Sequence, residues 1–248
     1  MQPAISISDV DVEFRGESAI KNISLDCPTG SITSIVGPSG CGKSTLLRCV
    51  ASLVTPHSGR VDLSSAISRD GIAFVFQHAN LLPWRDVHQN IRLPVELNGE
   101  PKLAQMQRVD EVLKLVGLLE QDRTKLPRML SGGMQMRVSL ARALVMQPEV
   151  LLLDEPFAAL DDILRQQLNE ELLRLWSMQQ WTTLFVTHNV SEAVFLSQRV
   201  VVMTSRPGRI ASVIDVPFEY PRPASLRASA KFGSLTGQVS DSLREASL

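Results

Sequence analysis

Residues 37–44 have the types and spacing of a loop that binds phosphate groups. They satisfy the pattern G-x-x-x-x-G-K-S and lie between a predicted strand, 31–36, and a predicted helix. The glycines let successive backbone N–H groups point at phosphate oxygens, and the start of the helix adds its positive dipole. Lys43 can then reach the β- and γ-phosphates, and the Ser44 hydroxyl can coordinate Mg²⁺. The residues expected to surround the phosphates are Gly37, Pro38, Ser39, Gly40, Cys41, Gly42, Lys43, Ser44 and Thr45.

Two carboxylates follow directly on a second apolar run. The run Val150–Leu153 has the length of a buried strand, and Asp154 and Glu155 come at its carboxyl end. Beside the phosphate loop, Asp154 would hold Mg²⁺ and Glu155 would orient and polarise a water for attack on the γ-phosphate. The alternative is that the pair merely ends a strand and caps a helix. The presence of the phosphate loop favours the chemical interpretation.

The segment Ser131-Gly132-Gly133 has two interpretations. Structurally, Ser131 caps a helix and the glycines allow a tight entry. Functionally, the hydroxyl and the helix start form a second anion site, although the phosphate loop already holds a nucleotide. A second copy related by a twofold axis resolves this, because each copy can then press this segment onto the γ-phosphate of the other.

The remaining pattern indicates an α/β chain. Residues 5–14 and 20–26 alternate apolar and polar side chains, which predicts an antiparallel pair. Strands alternate with helices afterwards, which favours a largely parallel, doubly wound sheet. The helix after Lys43 should include Leu53 in its apolar spacing, with Pro56 and Gly59 ending it. A proline-containing stretch with an amphipathic segment at 109–119 predicts an inserted helical lobe. The tail after residue 218 is expected to form a short helix or to be partly disordered.

Composition excludes several classes of protein. With a net charge of −1, no bulk field favours nucleic acid or an anionic membrane. The apolar runs are far shorter than the ~20 residues that a membrane span needs, and no signal peptide is expected from the start of the chain. Cys27, Cys41 and Cys49 are expected to be reduced thiols. Cys41 is either a reactive thiol in the loop or a small residue that fits it, and the second interpretation is favoured.

With these motifs in place, the chain resembles the ATP-binding subunits of ABC transporters over roughly residues 5–215. The resemblance implies a P-loop NTPase fold of the ABC ATPase type, with a mostly parallel core sheet, an antiparallel β subdomain and a helical subdomain at about 78–145. It implies a nucleotide-binding domain over 1–218, a short tail at 219–248, and ATP and Mg²⁺ as cofactors. Phe14 matches the aromatic that stacks on adenine, although ordinary core is its alternative.

The same resemblance supplies three further roles. Gln77 matches the glutamine that senses Mg²⁺ and the attacking water and couples to the membrane subunit. Asp161 belongs to the segment 159–161, which resembles the loop that crosses the dimer seam. His188 matches the histidine that contacts the γ-phosphate, with an ordinary strand-end histidine as its alternative. Glu155, His188, Lys43 and Gln77 are therefore the expected catalytic residues, and Ser44, Gln77 and Asp154 the expected metal ligands.

Three segments resemble the nitrate/sulfonate/taurine-type importer branch. They are residues 81–84, the Ser-Gly-Gly-Met at 131–134, where Met134 stands in place of the usual glutamine, and Ser205–Ile210. The branch implies a homodimer of this subunit, membrane permease subunits and an extracytoplasmic solute-binding protein. It places the subunit at the cytoplasmic face of the membrane and implies import of a small, anionic solute. Trp84 is equally consistent with lobe core and with a permease groove.

Three alternatives belong to other classes. Another ABC importer or an exporter ATPase would use the same motifs. A soluble ABC ATPase acting in DNA repair or translation usually has tandem nucleotide domains or a coiled-coil insertion, and neither is apparent here. A P-loop kinase outside this family would have no use for residues 131–133 or His188. The solute is not encoded in this chain, because the nucleotide subunit does not touch it.

Overall fold

The computed structural model describes residues 3–68 and 71–247. Residues 1 and 248, the expected outer limits of the domain and of the tail, lie outside these ranges. So does Gln2, which with Met1 belongs to the start of the chain used for the signal-peptide expectation. Within the described ranges, no helix is both long and apolar enough to cross a bilayer.

Six strands form the central sheet, in the order β5-β6-β7-β3-β8-β9. The first five of these run parallel, and β9 pairs antiparallel with β8. Their bounds are β3 Ile32–Val36, β5 Ile72–Val75, β6 Val150–Asp154, β7 Thr182–Val186, β8 Arg199–Met203 and β9 Ile210–Asp215. The predicted mostly parallel sheet is confirmed.

Every residue of β3, β6 and β7 is buried, because layers cover both faces of the sheet. Successive side chains of a strand point to opposite faces. Leu151 and Leu153 therefore join the core beneath the helices. Val150 and Leu152 join the core on the other face.

A second sheet has three antiparallel strands in the order β2-β1-β4. Its strands are β1 Pro3–Phe14, β2 Glu17–Pro28 and β4 Ser58–Leu63. The antiparallel pair predicted from the alternation at 5–14 and 20–26 is confirmed. The strand β4 was not predicted, because its residues are polar and largely exposed and its pairing with β1 supplies the order.

Seven α-helices complete the described part of the chain. They are α1 Lys43–Val50, α2 Val87–Leu97, α3 Lys102–Leu115, α4 Gly132–Leu144, α5 Asp162–Gln179, α6 Val190–Leu196 and α7 Ala230–Ala246. Of these, α2, α3 and α4 pack on one another and lie in the region where the helical lobe was expected.

Helix α1 is shorter than predicted. It ends at Val50, and Leu53 is exposed rather than part of its apolar face. The cause is local: Ser52 adopts a left-handed conformation with φ 56°, and the Leu53 N–H turns back to the Arg48 carbonyl at 2.8 Å. Pro56 and Gly59 therefore follow the end of the helix instead of causing it.

The tail forms a longer helix than the short one expected. Helix α7 has 17 residues and buries Phe232 and Val239 against the rest of the fold. Arg222 fixes the chain that leads to it by donating to the carbonyls of Val194, Phe195 and Ser197 near the end of α6. The tail thus continues the core beside β8 and α6.

Candidate functional site

The predicted chemical groups meet at one edge of the central sheet. Strand β3 leads into the phosphate loop, β5 leads to Gln77, β6 ends in Asp154 and Glu155, and β7 leads to His188. Because these strands are parallel neighbours, their carboxyl ends lie side by side. This edge is where open α/β sheets bind their ligands.

The phosphate loop has the backbone that its glycines predict. Gly40 and Gly42 adopt φ values of 77° and 101°, which favour glycine. A Cβ on Gly42 would lie 2.2 Å from Cγ2 of Ile20, so this position also tolerates no side chain. The Lys43 ammonium is buried and donates to the carbonyls of Gly37 and Pro38, both at 2.9 Å. The positive charge of Lys43 therefore lies against the backbone of the phosphate loop.

Two oxygen donors meet beside that loop. The Ser44 hydroxyl donates to Oδ1 of Asp154 at 2.7 Å, although 110 positions separate the two residues. Burial raises the pKa of Asp154, and the Ser44 hydrogen bond opposes that shift. A hydroxyl and a carboxylate are hard oxygen ligands of the kind that Mg²⁺ binds. The donor chemistry of this pair therefore fits the predicted metal site.

Glu155 and His188 contact each other directly. Oε2 of Glu155 lies 2.8 Å from Nδ1 of His188. The Glu155 backbone is held in the left-handed region at φ 46°, and its N–H donates to the Val186 carbonyl at 2.9 Å. Such a conformation is costly for a residue with a side chain and persists only where the surroundings fix it. The turn thus sets the direction of this carboxylate.

An open cavity of about 430 Å³ lies over these groups. Phe14 is 46% exposed, so its alternative as ordinary core is wrong. Gln77 and Glu155 also face the cavity. The full lining is Phe14, Ala19, Ser39, Gly40, Gly42, Lys43, Ser44, Thr45, Gln77, Glu155 and Arg206.

Three residues of the predicted loop do not line this cavity: Gly37, Pro38 and Cys41. A Cβ on Gly37 would come within 2.7 Å of the Cys41 sulfur. Cys41 is fully buried, and burial raises the pKa of its thiol. Its surroundings therefore favour a packing role over a reactive thiol.

The segment 131–133 is not brought to this cavity within one chain. Ser131 is the N-cap of α4 and accepts from the Met134 N–H at 3.3 Å. A Cβ on Gly133 would lie 2.7 Å from Cδ2 of Leu164, so α4 and α5 approach closely there. Asp161 caps α5 on the same side, and both Ser131 and Asp161 are exposed. Residues 131–133, Asp161 and His188 are not among the lining residues, so their predicted contacts with a nucleotide stay predictions. Asp154 does not line the cavity either and contacts it only through the Ser44 hydroxyl.

A buried carboxylate behind His188 was missed at the sequence level. The Thr187 hydroxyl donates to Oε2 of Glu192, and the Asn189 N–H donates to the Thr187 hydroxyl at 3.0 Å. Glu192 is 5% exposed, and burial raises its pKa. These bonds fix the turn that carries His188. The sequence of α6 is mostly apolar with a single glutamate, and this pattern does not indicate that the glutamate is buried behind His188.

Arg206 was also missed, although it lines the cavity. In the sequence, its segment Ser205–Ile210 stands out only through its resemblance to the importer branch. A signal was present, because the segment follows β8, which is parallel to β3 and ends at the same edge. Trp84, in contrast, is 73% exposed and does not form lobe core.

Comparison with known proteins agrees with this geometry. Residues 20–158 match the ABC transporter family. The chain is 46% identical over 211 residues to the nitrate import ATP-binding protein of Synechococcus elongatus, covering 82% of this chain and 76% of that protein. It is 40% identical over 213 residues to the aliphatic sulfonates import ATP-binding protein of Bacillus subtilis, covering 85% and 82% of the two chains.

A solved structure gives the same result for the fold. A dimeric ATP-binding cassette in a post-hydrolysis state, bound to ADP and Pi, superposes with a TM-score of 0.74 at 29% identity, covering 87% of this chain and 100% of that chain. The family match covers more than half of the chain, and the relatives are aligned over most of its length. The chain therefore belongs to the ABC transporter family, as one of its ATP-hydrolysing cassettes.

Proposed function

We propose that ATP binds in the cavity at the carboxyl edge of the central sheet and is hydrolysed there between two copies of the chain. The observation that carries the proposal is the convergence of Lys43, the Ser44–Asp154 pair and the Glu155–His188 pair at that edge. Phosphoryl transfer needs these groups placed together, because its catalysis is largely positioning and electrostatic stabilisation. Phe14 would stack on the base.

The phosphates would be bound by the loop backbone and by Lys43, whose ammonium already lies against that backbone. Ser44 and Asp154 would hold Mg²⁺, and Gln77, which lines the cavity together with Ser44, would be a further ligand. The ion would neutralise charge on the phosphates. Because the Ser44 hydroxyl donates its hydrogen to Asp154, the lone pairs of its oxygen would remain available to Mg²⁺.

Glu155 would act as the general base for the attacking water, and His188 would hold its carboxylate in place and contact the γ-phosphate. Their 2.8 Å contact supports this division of roles. A general base must lie within hydrogen-bond reach of the proton that it removes. The fixed backbone at Glu155 keeps the carboxylate at the edge of the cavity, where the γ-phosphate of a nucleotide on the loop would lie.

The partner for the exposed start of α4 would be a second copy. Ser131, Gly132 and Gly133 would contact the γ-phosphate held by the other copy, and Asp161 would lie in the seam. A helix start is a suitable anion site, and the Ser131 hydroxyl, which accepts from the Met134 N–H, still has its own hydrogen to donate. The dimeric state of the similar cassette supports this arrangement.

We infer that the dimer powers an importer for a small, anionic solute. The support is that the relatives are named as import proteins for nitrate and for aliphatic sulfonates. The partners would be membrane permease subunits and an extracytoplasmic solute-binding protein, which places this subunit at the cytoplasmic face of the membrane. Trp84 and Met129 are exposed apolar side chains beside the helices α2–α4, and they are candidates for the permease contact.

The experiment is a complementation test of ATP hydrolysis. Lys43→Ala removes the phosphate ligand, and Ser131→Arg blocks the segment offered to the partner, so each variant alone should be inactive. A mixture forms heterodimers in which one of the two sites combines an intact loop with an intact α4 start, and hydrolysis should reappear there. An inactive mixture, alongside an active wild type, would contradict the shared site.

A further inference from the structure

The segment 204–210 after β8 packs beside the proposed nucleotide cavity, and Arg206 lines it. The Gly208 N–H donates to the Ala19 carbonyl at 3.0 Å, and the Gly208 carbonyl accepts from the Lys21 N–H at 2.9 Å. A Cβ on Gly208 would lie 1.9 Å from the Cys41 carbonyl oxygen, so the turn touches the backbone of the phosphate loop. These contacts join the turn both to β2 and to the loop.

This turn presents Arg206 to the cavity. Nε of Arg206 donates to the Ser18 carbonyl at 3.2 Å, and its guanidinium lies 3.2 Å from Oε2 of Glu17. Glu17 is the register partner of Phe14 at the end of the β1–β2 pair. Arg206 therefore lines the cavity beside Phe14, at the end formed by this β-hairpin.

Beyond these two contacts, the half-exposed guanidinium has a flat face and further N–H donors to offer a ligand. The side chains of Arg206 and Glu17 are 47% and 75% exposed, so water screens their ion pair and the pair contributes little. A guanidinium offers a flat face that stacks on aromatic rings and a set of N–H donors. A purine offers a matching ring face and nitrogen acceptors, and arginine–aromatic contacts stabilise such a pair.

We propose that Arg206 contacts the base end of the bound nucleotide, together with Phe14. The inference rests on the proposed binding of ATP in this cavity. Arg209 provides the comparison within the same turn: it carries the same charge, its side chain is exposed, and it is not among the residues lining the cavity. Both arginines carry the same charge, so it is the position of Arg206 in the turn that brings its side chain to the cavity.

The test is calorimetric titration of the full chain with ATP and with inorganic tripolyphosphate. Arg206→Ala should weaken ATP binding about threefold to tenfold and leave tripolyphosphate binding unchanged. Arg206→Lys should show much of the same loss, because it keeps the charge and removes the flat face. Arg209→Ala should bind both ligands as the wild type does.

Several results would overturn the assignment. Unchanged ATP affinity in Arg206→Ala would do so, as would an equal loss of tripolyphosphate affinity or full rescue by lysine, since these would mean action through charge on the phosphates. Glu17→Gln removes the ion pair and keeps the guanidinium, so it should bind ATP at least as tightly as the wild type. A loss there equal to that of Arg206→Ala would mean that the arginine only holds the turn. A wild type that binds no ATP would instead overturn the proposed function.

Discussion

Replacing Glu155 with glutamine is expected to stop hydrolysis while leaving ATP bound in a closed dimer. The substitution keeps the side-chain length and the Cβ, so the strained backbone at φ 46° is unchanged. The amide can still hydrogen-bond to Nδ1 of His188, from which Oε2 of the carboxylate lies 2.8 Å away. What is lost is the capacity to take a proton from water.

The magnitude follows from that single loss. General-base catalysis contributes about 10²- to 10⁴-fold to a rate, which corresponds to about 3 to 5 kcal/mol of transition-state stabilisation. The steady-state rate of phosphate release should fall by this factor, and ATP affinity should change less than about threefold. Size-exclusion chromatography with ATP should show a dimer that the wild type does not accumulate.

The matched control is Glu149→Gln. Glu149 is exposed and immediately precedes β6, so it carries the same substitution at the opposite end of the strand that delivers Glu155. Its rate should equal that of the wild type. If Glu155→Gln released phosphate at an unchanged rate, the assignment of the general base to Glu155 would be wrong.

Three further predictions test other parts of the molecule. Ser131→Arg should abolish hydrolysis while the monomer keeps its ATP affinity, measured by titration, because the guanidinium would occupy the seam between two copies; an active variant would contradict the shared site. Gly42→Ala should destabilise the fold by about 1–3 kcal/mol, because its Cβ would lie 2.2 Å from Ile20, whereas Gly40→Ala meets nothing within 4 Å and should cost less in chemical denaturation. Equal costs would refute the steric reasoning. Burial raises the pKa of Glu192, so the folded state binds more protons than the unfolded state and the free energy of unfolding should fall as the pH rises above the usual glutamate value. Glu192→Gln should show a flatter profile above pH 4.5, and parallel profiles would contradict this account.

Much of the site could be predicted from the sequence because its groups lie in short, contiguous segments. The spacing in 37–44 encodes a loop whose glycine conformations are local properties, and the structure has them at Gly40 and Gly42. The apolar run 150–153 implied a buried parallel strand, and its carboxyl end then placed Asp154 and Glu155. The parallel order of the strands followed from the alternation of strands and helices.

Other features depended on local bonds that residue types do not signal. Helix α1 ends at Val50 because Ser52 is left-handed, a conformation that serine rarely adopts. Strand β4 has polar residues, and its order comes from pairing with β1. The tail was expected to form a short helix or to be partly disordered, yet the two buried side chains of α7 and the hydrogen bonds of Arg222 attach it to the core.

The sequence alone predicted the chemistry of the site: a phosphate loop, a metal-binding pair and a general base, in a chain that resembles a family of ATP-binding subunits. Which distant residues meet at the site depends instead on the folded chain, because sheet order and packing bring together segments that are far apart in sequence. The fold set the Ser44 hydroxyl on Asp154 across 110 positions and brought Arg206 beside Phe14. It also left Ser131 exposed and outside the cavity of its own chain, since α4 presents it at the surface.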